Sequence, residues 1–595
     1  MSGMRGFVVI LSLAVAWCPW CAAADPQVPA TLEAQPFGAD FPSLDGWATG
    51  AWWTKPSASP EAARAARQAA VAKGKKHRSP PVPFRLDVAR EDVIAFALYT
   101  LTVPPQHPQA STLKLSAQLF PLKPGEANEV RLEVERGDGW QEIARAAVHY
   151  PGWDASFRVE GWDATQAVPY RVRHGDRATF TGTIRPDPAD KPEIAVAVLS
   201  CNSSRTPGQR QELIDGLRAA DPDLLFFAGD QTYRHTEHTV GWIEFGLQFR
   251  DVIRDRPTVT IPDDHDVGQA NLWGNGGGRA TDSAGASGGY FYPAGYVTMV
   301  ERQQTAHLPD PVDPAPIKGG IGVYFTRLIV GGIDFAILED RKFKTGPEGT
   351  IPKLGPRPDH IVDPAYDRTA IDLPSLELLG KRQLTWLRSW ADDWQGVRAK
   401  CALSQTAFCG AVHLHGTPDN RLLADLDCNG WPQAGRNEAL RILKQARAVH
   451  LCGDQHLAVV VQHGIDQHRD GPWSFTSPAL VNTIYGRWWH PENEQPGANP
   501  IPGSPLPWTG DYEDGLGNKI TMVAYANPQD TTDEKQRADG YGMARFDVPG
   551  QTVTFECFPR FATIGADGTP TQFPGWPVTV PLEDRPEPRP EEATP

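Results

Sequence analysis

The chain of 595 residues has no apolar run of membrane-spanning length after its first residues. A spanning helix needs roughly 20 mostly apolar residues, so we expect no membrane span in the mature protein. The chain also lacks an excess of basic residues, because 57 Lys and Arg stand against 72 Asp and Glu, a formal net charge of -15. An acidic protein repels a phosphate backbone, so no nucleic-acid-binding surface is expected. An anionic substrate would need local positive charge, which bound metal ions can supply.

The N-terminus has the pattern of a signal peptide. Arg5 precedes a mostly apolar stretch from Phe7 to Cys21, and Ala22-Ala23-Ala24 is a cleavage site of the A-x-A type. The apolar stretch is short for a membrane anchor, and no twin-arginine pair precedes it. We therefore predict that residues 1–24 are a signal peptide and that the protein is exported to the periplasm or the extracellular space.

Changes in composition along the chain predict its domains. Residues 25–85 are rich in Ala, Pro and Lys, which indicates a weakly structured leader. Residues 86–186 contain short alternating runs such as Leu113–Leu119, which are typical of a small β-sandwich. Residues 193–560 alternate strand and helix patterns and predict an α/β domain. The Pro- and Glu-rich tail, residues 581–595, is predicted to be disordered.

Polar side chains follow four predicted strands of the α/β domain, at the point where each strand ends. Ligands of α/β sheets bind outside the carboxyl ends of the strands. Closely packed carboxylates repel one another unless cations offset their charge, so a metal site is the simplest explanation. The four segments are Cys201-Asn202, Gly229-Asp230-Gln231-Thr232-Tyr233, Asp263-Asp264-His265-Asp266 and Gly453-Asp454-Gln455-His456.

Together these segments resemble the alkaline phosphatase D (PhoD-like) family of the calcineurin-like metallophosphoesterase superfamily. Asp230 to Tyr233 lies in a segment similar to the family's Gly-Asp-x-x-Tyr, and Gly453 to His456 is similar to its Gly-Asp-x-His. Asp263 to Asp266 is similar to its Asp-Asp-His-Glu/Asp. The resemblance covers about residues 90–560. It implies an α/β (α+β) metallophosphoesterase domain, with two mixed β-sheets packed face to face and flanked by helices, preceded by a small N-terminal β-sandwich.

The resemblance also implies which residues bind metals. Thiolate, phenolate and imidazole ligands suit iron, while hard oxygen ligands suit calcium or another divalent ion such as magnesium. Asp264 and Asn271 are alternatives for one calcium ligand, because Asp264 stands where the wider superfamily has a metal-binding Asn. The implied ferric ligands are Cys201, Asp230, Tyr233 and His456, and the implied calcium ligands are Asp230, Asp454 and either Asp264 or Asn271.

The implied activity is the hydrolysis of phosphate esters, of small molecules or polymers, through a metal-bound hydroxide. His265 is expected to protonate the departing alkoxide. Arg341 is a candidate for contact with the substrate phosphate, with an ion pair to Asp340 as the alternative. The preference for monoesters or diesters, the pairing of the cysteines and the oligomeric state stay open.

Two other functions are compatible with the sequence. The first is a purple-acid-phosphatase-like phosphomonoesterase, which would have Asn at the position of Asp264 and His at the position of Asp454. Because this chain has Asp at both positions, we rank this function lower. A non-catalytic exported binding protein on the same scaffold would not need the whole set of ligand-type residues.

Four further histidines receive weaker predictions. His235 and His238 are expected on a loop surface rather than at the substrate. His413 or His415 is an alternative metal ligand, because the superfamily places a metal-binding His between its third and last motifs.

Overall fold

The computed structural model describes residues 27–53, 88–206, 208–415, 421–488, 496–565 and 569–583. The predicted signal peptide lies outside the described residues, as do residues 54–87 of the leader and 584–595 of the tail. Among the described residues, none of the helices combines the length and the apolar character that crossing a membrane requires. The cysteines of the described residues are buried free thiols.

Strands between residues 94 and 184 form two antiparallel sheets, in the orders β1-β2-β5 and β4-β3-β6-β7. In β7 every second side chain is buried, as the period of a half-buried strand requires. The strands are β1 (Ile94–Thr102), β2 (Thr112–Leu119), β3 (Glu129–Arg136), β4 (Gly139–Ala147), β5 (Asp154–Glu160), β6 (Val168–His174) and β7 (Ala178–Ile184).

The strands and helices that follow build the α/β part of the molecule. The strands are β8 (Glu193–Leu199), β9 (Leu224–Phe227), β10 (Thr258–Thr260), β11 (Thr326–Val330), β12 (Ile333–Ile337), β13 (His360–Ile361), β14 (Ala399–Leu403), β15 (Leu414–His415), β16 (Ala424–Asp425), β17 (Val449–Cys452), β18 (Ala458–His463), β19 (Trp473–Thr476), β20 (Gly486–Arg487), β21 (Gly510–Glu513), β22 (Lys519–Ala526), β23 (Gly540–Asp547), β24 (Thr552–Pro559) and β25 (Val578–Pro581). The helices are α1 (Gln211–Ala220), α2 (His238–Ile253), α3 (Ala294–Thr305), α4 (Gly380–Asp392) and α5 (Gln433–Gln445).

Two mixed sheets form the centre of the α/β part. One has the order β10-β9-β8-β23-β24-β25, with β8, β9 and β10 parallel. The other has the order β11-β12-β14-β17-β19-β18-β22-β21, with β12, β14, β17 and β19 parallel. The pairs β13-β16 and β15-β20 are short and separate.

The two mixed sheets pack face to face, and helices cover their outer sides. In β8 the residues Ile194, Val196 and Val198 face the second sheet, in one hydrophobic cluster with Phe335 and Leu451. The alternate residues of β8 belong to a different cluster, which also contains side chains of α1 and α2. Helices α4 and α5 cover the outer side of the second sheet. The parallel strands are therefore buried on both faces, which explains why they appear in the sequence as continuous apolar runs.

The N-terminal sheets share a hydrophobic cluster with the α/β part. Phe96 of β1 packs edge-on against Trp242 of α2, with ring centroids 5.2 Å apart. Gly246 lies beneath the same Phe96 ring, where a Cβ atom would be 1.9 Å from its Cδ1 atom. The core of the predicted β-sandwich region is thus continuous with the core of the domain that follows it.

Residues 27–53 depart from the weak structure predicted for the leader. Phe37, Leu44 and Ala48 are buried in a cluster with Tyr296 of α3. The carboxylate of Asp45 accepts hydrogen bonds from the backbone N–H groups of Ala48 and Thr239. The prediction rested on the overall Ala, Pro and Lys content of the leader. That content gives no sign of these few buried side chains, whose contacts are with residues distant in sequence.

Candidate metal centre

The four polar segments that follow β8, β9, β10 and β17 meet at one place. Sγ of Cys201 lies 3.7 Å from Oδ2 of Asp230 and 3.6 Å from the carbonyl oxygen of Asp454. Beside them is a cavity of about 220 Å³. Its lining includes the predicted site residues Asp230, Tyr233, Asp264, His265, Asn271, Asp454 and His456.

Potential ligand atoms form three overlapping groups, and within each group they lie within 4.8 Å of one another. Asp230 belongs to two groups and Asp264 to two, so the arrangement can hold neighbouring cations that share carboxylates. The groups are Cys201, Asp230 and His456; Asp230, Asp264 and His265; and Asp263, Asp264 and Asp454.

Tyr233 adds a phenol to the first group. Its Oη atom lies 2.9 Å from Nε2 of His456. The side-chain amide of Asn482 donates to both atoms at 2.8 Å. Asn482 was not among the sequence predictions, because it lies in a loop after β19 with no neighbouring motif. Its backbone N–H donates to Oδ1 of Asp539, 3.2 Å away, which fixes the loop.

The backbone of this site is unusual. Cys201, Asp230, Asp454 and His456 have φ angles of 60°, 58°, 69° and 50°, in the left-handed region that non-glycine residues rarely adopt. At Gly229, whose φ is 115°, a side chain would collide with Asp263, since a Cβ atom would lie 2.5 Å from its Cβ. At Gly229 the two strand-end loops therefore pack too closely to admit a side chain.

Asp266 joins two of these loops without reaching the cavity. Its carboxylate accepts backbone hydrogen bonds from Asp230 at 2.8 Å, Thr232 at 3.2 Å and Asp263 at 3.0 Å. The last acid of the Asp-Asp-His-Asp segment thus positions the ligand-bearing loops.

Arg341 departs from its predicted contact with substrate. It is only 1% exposed and does not line the cavity. Its guanidinium pairs instead with the carboxylates of Asp263 at 2.8 Å, Asp427 at 2.8 Å and Asp454 at 3.0 Å. A buried arginine gains most from such bidentate pairing, so it holds the carboxylates from behind rather than facing a ligand.

Asn271 lines the cavity, and its amide Nδ2 donates a hydrogen bond to Oδ2 of Asp359 at 2.9 Å. Arg357 pairs with the same carboxylate through Nε at 3.1 Å and Nη2 at 2.7 Å. Arg357 and Arg205 line the cavity, so its wall carries positive charge beside the acids. Asp359, His360 and Asp425 form a further group of ligand-type atoms next to it.

The histidines differ from their sequence predictions. His235 lines the cavity, and its Nε2 lies 2.6 Å from Nδ1 of His265. His238 is buried at the start of α2, where burial lowers its pKa to about 3. His413 is buried with its ring on Trp488, at a centroid distance of 4.8 Å, and does not line the cavity. The side chain of His415 lies outside the described part of the chain.

The electrostatics of the site favour bound cations. Burial raises the pKa of Asp230 and of Asp264 well above the usual range, and neighbouring carboxylates raise both further. Burial likewise raises the pKa of the Cys201 thiol and the Tyr233 phenol. A cation among these groups would stabilise their ionised, ligating forms. The residues present therefore fit the implied metals: thiol, phenol and imidazole surround Asp230, and carboxylates cluster beside it.

Comparisons with known proteins bear on the fold. No family model matches the sequence, and no curated protein matches it significantly. The solved structure of PhoD superposes with a TM-score of 0.53 at 13% identity, covering 83% of this chain and 90% of that one. A purple acid phosphatase, PPD1 from yellow lupin (Lupinus luteus) seeds, matches with a TM-score of 0.47 at 10% identity, covering 82% and 74%. A dimetal phosphatase from Danio rerio matches with a TM-score of 0.34 at 9% identity, covering 66% and 99%. The superposition on PhoD shows that this chain has a fold like that of PhoD.

Proposed function

We propose that this chain, which folds like PhoD, is an exported metal-dependent phosphatase or phosphodiesterase. The observation that carries the proposal is the convergence of Cys201, Asp230, Tyr233 and His456 on one cavity edge, with Asp264 and Asp454 beside them. No packing requirement explains a thiol, a phenol, an imidazole and several acids at the ends of apolar strands. Phosphate esters of small molecules or polymers are the proposed substrates.

The types of ligand atom indicate which residues would hold which cation. Cys201, Asp230, Tyr233 and His456 would hold a ferric ion, and Asp230, Asp264 and Asp454 would hold calcium or another divalent ion. When bound, these cations supply charge that offsets the negative phosphate in the ground and transition states. Asn271 stays the alternative to Asp264, because an asparagine binds a cation through Oδ1 and its hydrogen bond to Asp359 uses only Nδ2.

The protein's own side chains would orient the ester. Arg357 and Arg205 place positive charge in the cavity wall, which attracts the anionic substrate. Val412 and Ile484 give part of the wall an apolar surface, against which an organic leaving group can pack. His265 lies among the ligand-type acids and would donate a hydrogen bond to the leaving-group oxygen.

Metal analysis combined with turnover assays tests the proposal. Purified protein, reconstituted with iron and calcium, is assayed with 4-nitrophenyl phosphate and bis(4-nitrophenyl) phosphate. We expect bound metal and turnover of at least one ester, with both lost in Asp230→Asn. Asp215→Asn, at an exposed position of α1, is the matched control and should behave like the parent. Absence of both metal and turnover in the reconstituted parent would contradict the proposal.

Export is tested separately. The N-terminal pattern predicts that mature protein from the extracytoplasmic fraction begins at Asp25, which N-terminal sequencing would show. Full-length protein beginning at Met1 and confined to the cytoplasm would refute export while leaving the phosphoesterase proposal intact.

A further inference from the structure

We propose that His235 is a positioning residue that holds the imidazole of His265 in the orientation and tautomer needed at the ester. The inference rests on the proposed phosphoesterase function. Nε2 of His235 lies 2.6 Å from Nδ1 of His265, a short hydrogen bond. The two rings meet edge to edge and are nearly coplanar, with centroids 4.8 Å apart and planes inclined by 26°. His235 therefore restrains both the position and the plane of the His265 ring.

The remaining contacts of His265 leave one ring nitrogen for chemistry. Its backbone N–H donates to Oδ1 of Asp264 at 2.7 Å, and its ring packs on Tyr233 with centroids 4.1 Å apart. Because Nδ1 is bonded to His235, Nε2 is the ring nitrogen of His265 left to contact a substrate. The ring is thus fixed between the candidate metal ligands and His235.

His235 is itself held in place by its backbone. Its carbonyl oxygen accepts a hydrogen bond from Oη of Tyr296 at 2.9 Å. The same oxygen lies against Gly268, where a Cβ atom would be only 2.4 Å away and where φ is +87°. Gly268 belongs to the loop that carries His265, so the two loops pack directly against each other. This rigidity is what a positioning contact requires.

The direction of the hydrogen bond has a chemical consequence. When Nε2–H of His235 donates to Nδ1 of His265, the proton of neutral His265 must be on Nε2. That N–H can donate to the leaving-group oxygen as negative charge develops there. The benefit grows with the basicity of the leaving group, because a more basic oxygen carries more charge that needs stabilisation.

Leaving-group dependence tests this role. Parent, His235→Ala and His235→Gln, each reconstituted with iron and calcium, are assayed with phenyl phosphate and with the more activated 4-nitrophenyl phosphate. His235→Ala should lose about 10- to 100-fold in kcat/KM for phenyl phosphate and clearly less for 4-nitrophenyl phosphate. His235→Gln retains an amide donor near the place of Nε2 and should recover most of the loss. His107→Ala, at an exposed position of an N-terminal loop, should match the parent with both esters.

The outcomes separate this inference from the proposed function. If the parent turns over both esters but His235→Ala is unchanged, or loses the same factor with both, the positioning role is wrong and the phosphoesterase proposal stands. If His235→Ala loses its metal, the histidine supports the metal centre and the inference fails. If the parent turns over neither monoester, the comparison is repeated with diphenyl phosphate and bis(4-nitrophenyl) phosphate, and failure with these diesters too would mean that the proposed function fails first.

Discussion

Tyr233 is the residue whose chemistry is most easily observed. Its Oη lies 2.9 Å from Nε2 of His456, beside the thiol and carboxylate that would complete a ferric site. Iron-loaded parent protein should therefore show a visible phenolate-to-iron absorption band, and Tyr233→Phe should lose it. Tyr292→Phe, which removes a hydroxyl from an aromatic cluster around Phe41, is the control. A band that persists in Tyr233→Phe would exclude the phenol as an iron ligand.

Arg341 provides a test of stability at the same scale. Its guanidinium compensates three nearby carboxylates in a buried setting, so its removal leaves uncompensated charge. Arg341→Met should lower the free energy of unfolding by about 3–5 kcal/mol, measured by chemical denaturation of the metal-loaded protein.

Arg218→Met is the comparison for Arg341→Met. Arg218 is 46% exposed in its side chain and pairs with Asp251 on the surface. Its replacement should cost no more than about 1 kcal/mol. Equal losses in the two variants would mean that the guanidinium of Arg341 does not hold the carboxylates together.

The buried carboxyl group of Asp539 is expected to make the free energy of unfolding depend on pH. Burial raises its pKa from the ordinary value of 3.8 to about 7, so folding favours its protonated form. Its contribution to stability is complete below pH about 4 and declines as the pH rises through about 7. Asp539→Asn should lack this decline. Urea denaturation across that interval measures the difference, and parallel pH profiles for parent and variant would contradict the raised pKa.

At the scale of elements, the contact between β1 and α2 joins the N-terminal sheets to the α/β part. Gly246→Ala places a methyl group against the Phe96 ring and should cost about 1–3 kcal/mol by overpacking. Phe96→Leu frees space at the same point, so the double variant should lose less than the sum of the two single variants. A double-mutant cycle by chemical denaturation measures this coupling, and strict additivity would show that the two elements do not press on one another.

The sequence predicted the buried elements better than the loops. The apolar run of residues 194–199 predicts a strand, and β8 spans Glu193–Leu199, because an apolar run buried on both faces is visible without knowledge of its neighbours. The pattern of residues 437–447 predicts a helix, but α5 begins earlier, at Gln433, because its polar first turn has no apolar periodicity.

Part of the site had no local signal at all. The ligand-type residues that directly follow strands could be predicted from the position of those strands in the sequence. Asn482, Arg357 and Asp427 instead reach the site from loops that are distant in sequence. The placement of Arg341 behind the carboxylates, rather than in the cavity, depends on three partners brought together only by folding. Such long-range packing cannot be inferred from spacing along the chain.

At the scale of the whole molecule, the described sheets share their hydrophobic clusters rather than forming separate cores. Side chains of β1, β8, α1 and α2 belong to one cluster, and residues 27–53 pack against α3. We therefore expect the metal-loaded protein to unfold in one calorimetric transition. Two resolved transitions, with the N-terminal sheets melting apart from the α/β part, would contradict a continuous core.

The left-handed backbone at Cys201, Asp230, Asp454 and His456 has a consequence for the stability of the protein. Each such residue costs roughly 1–2 kcal/mol that glycine would not. Glycine at any of the four positions would therefore relieve this cost and remove a ligand-type side chain at the same time. The protein instead carries a thiol, two carboxylates and an imidazole at these positions.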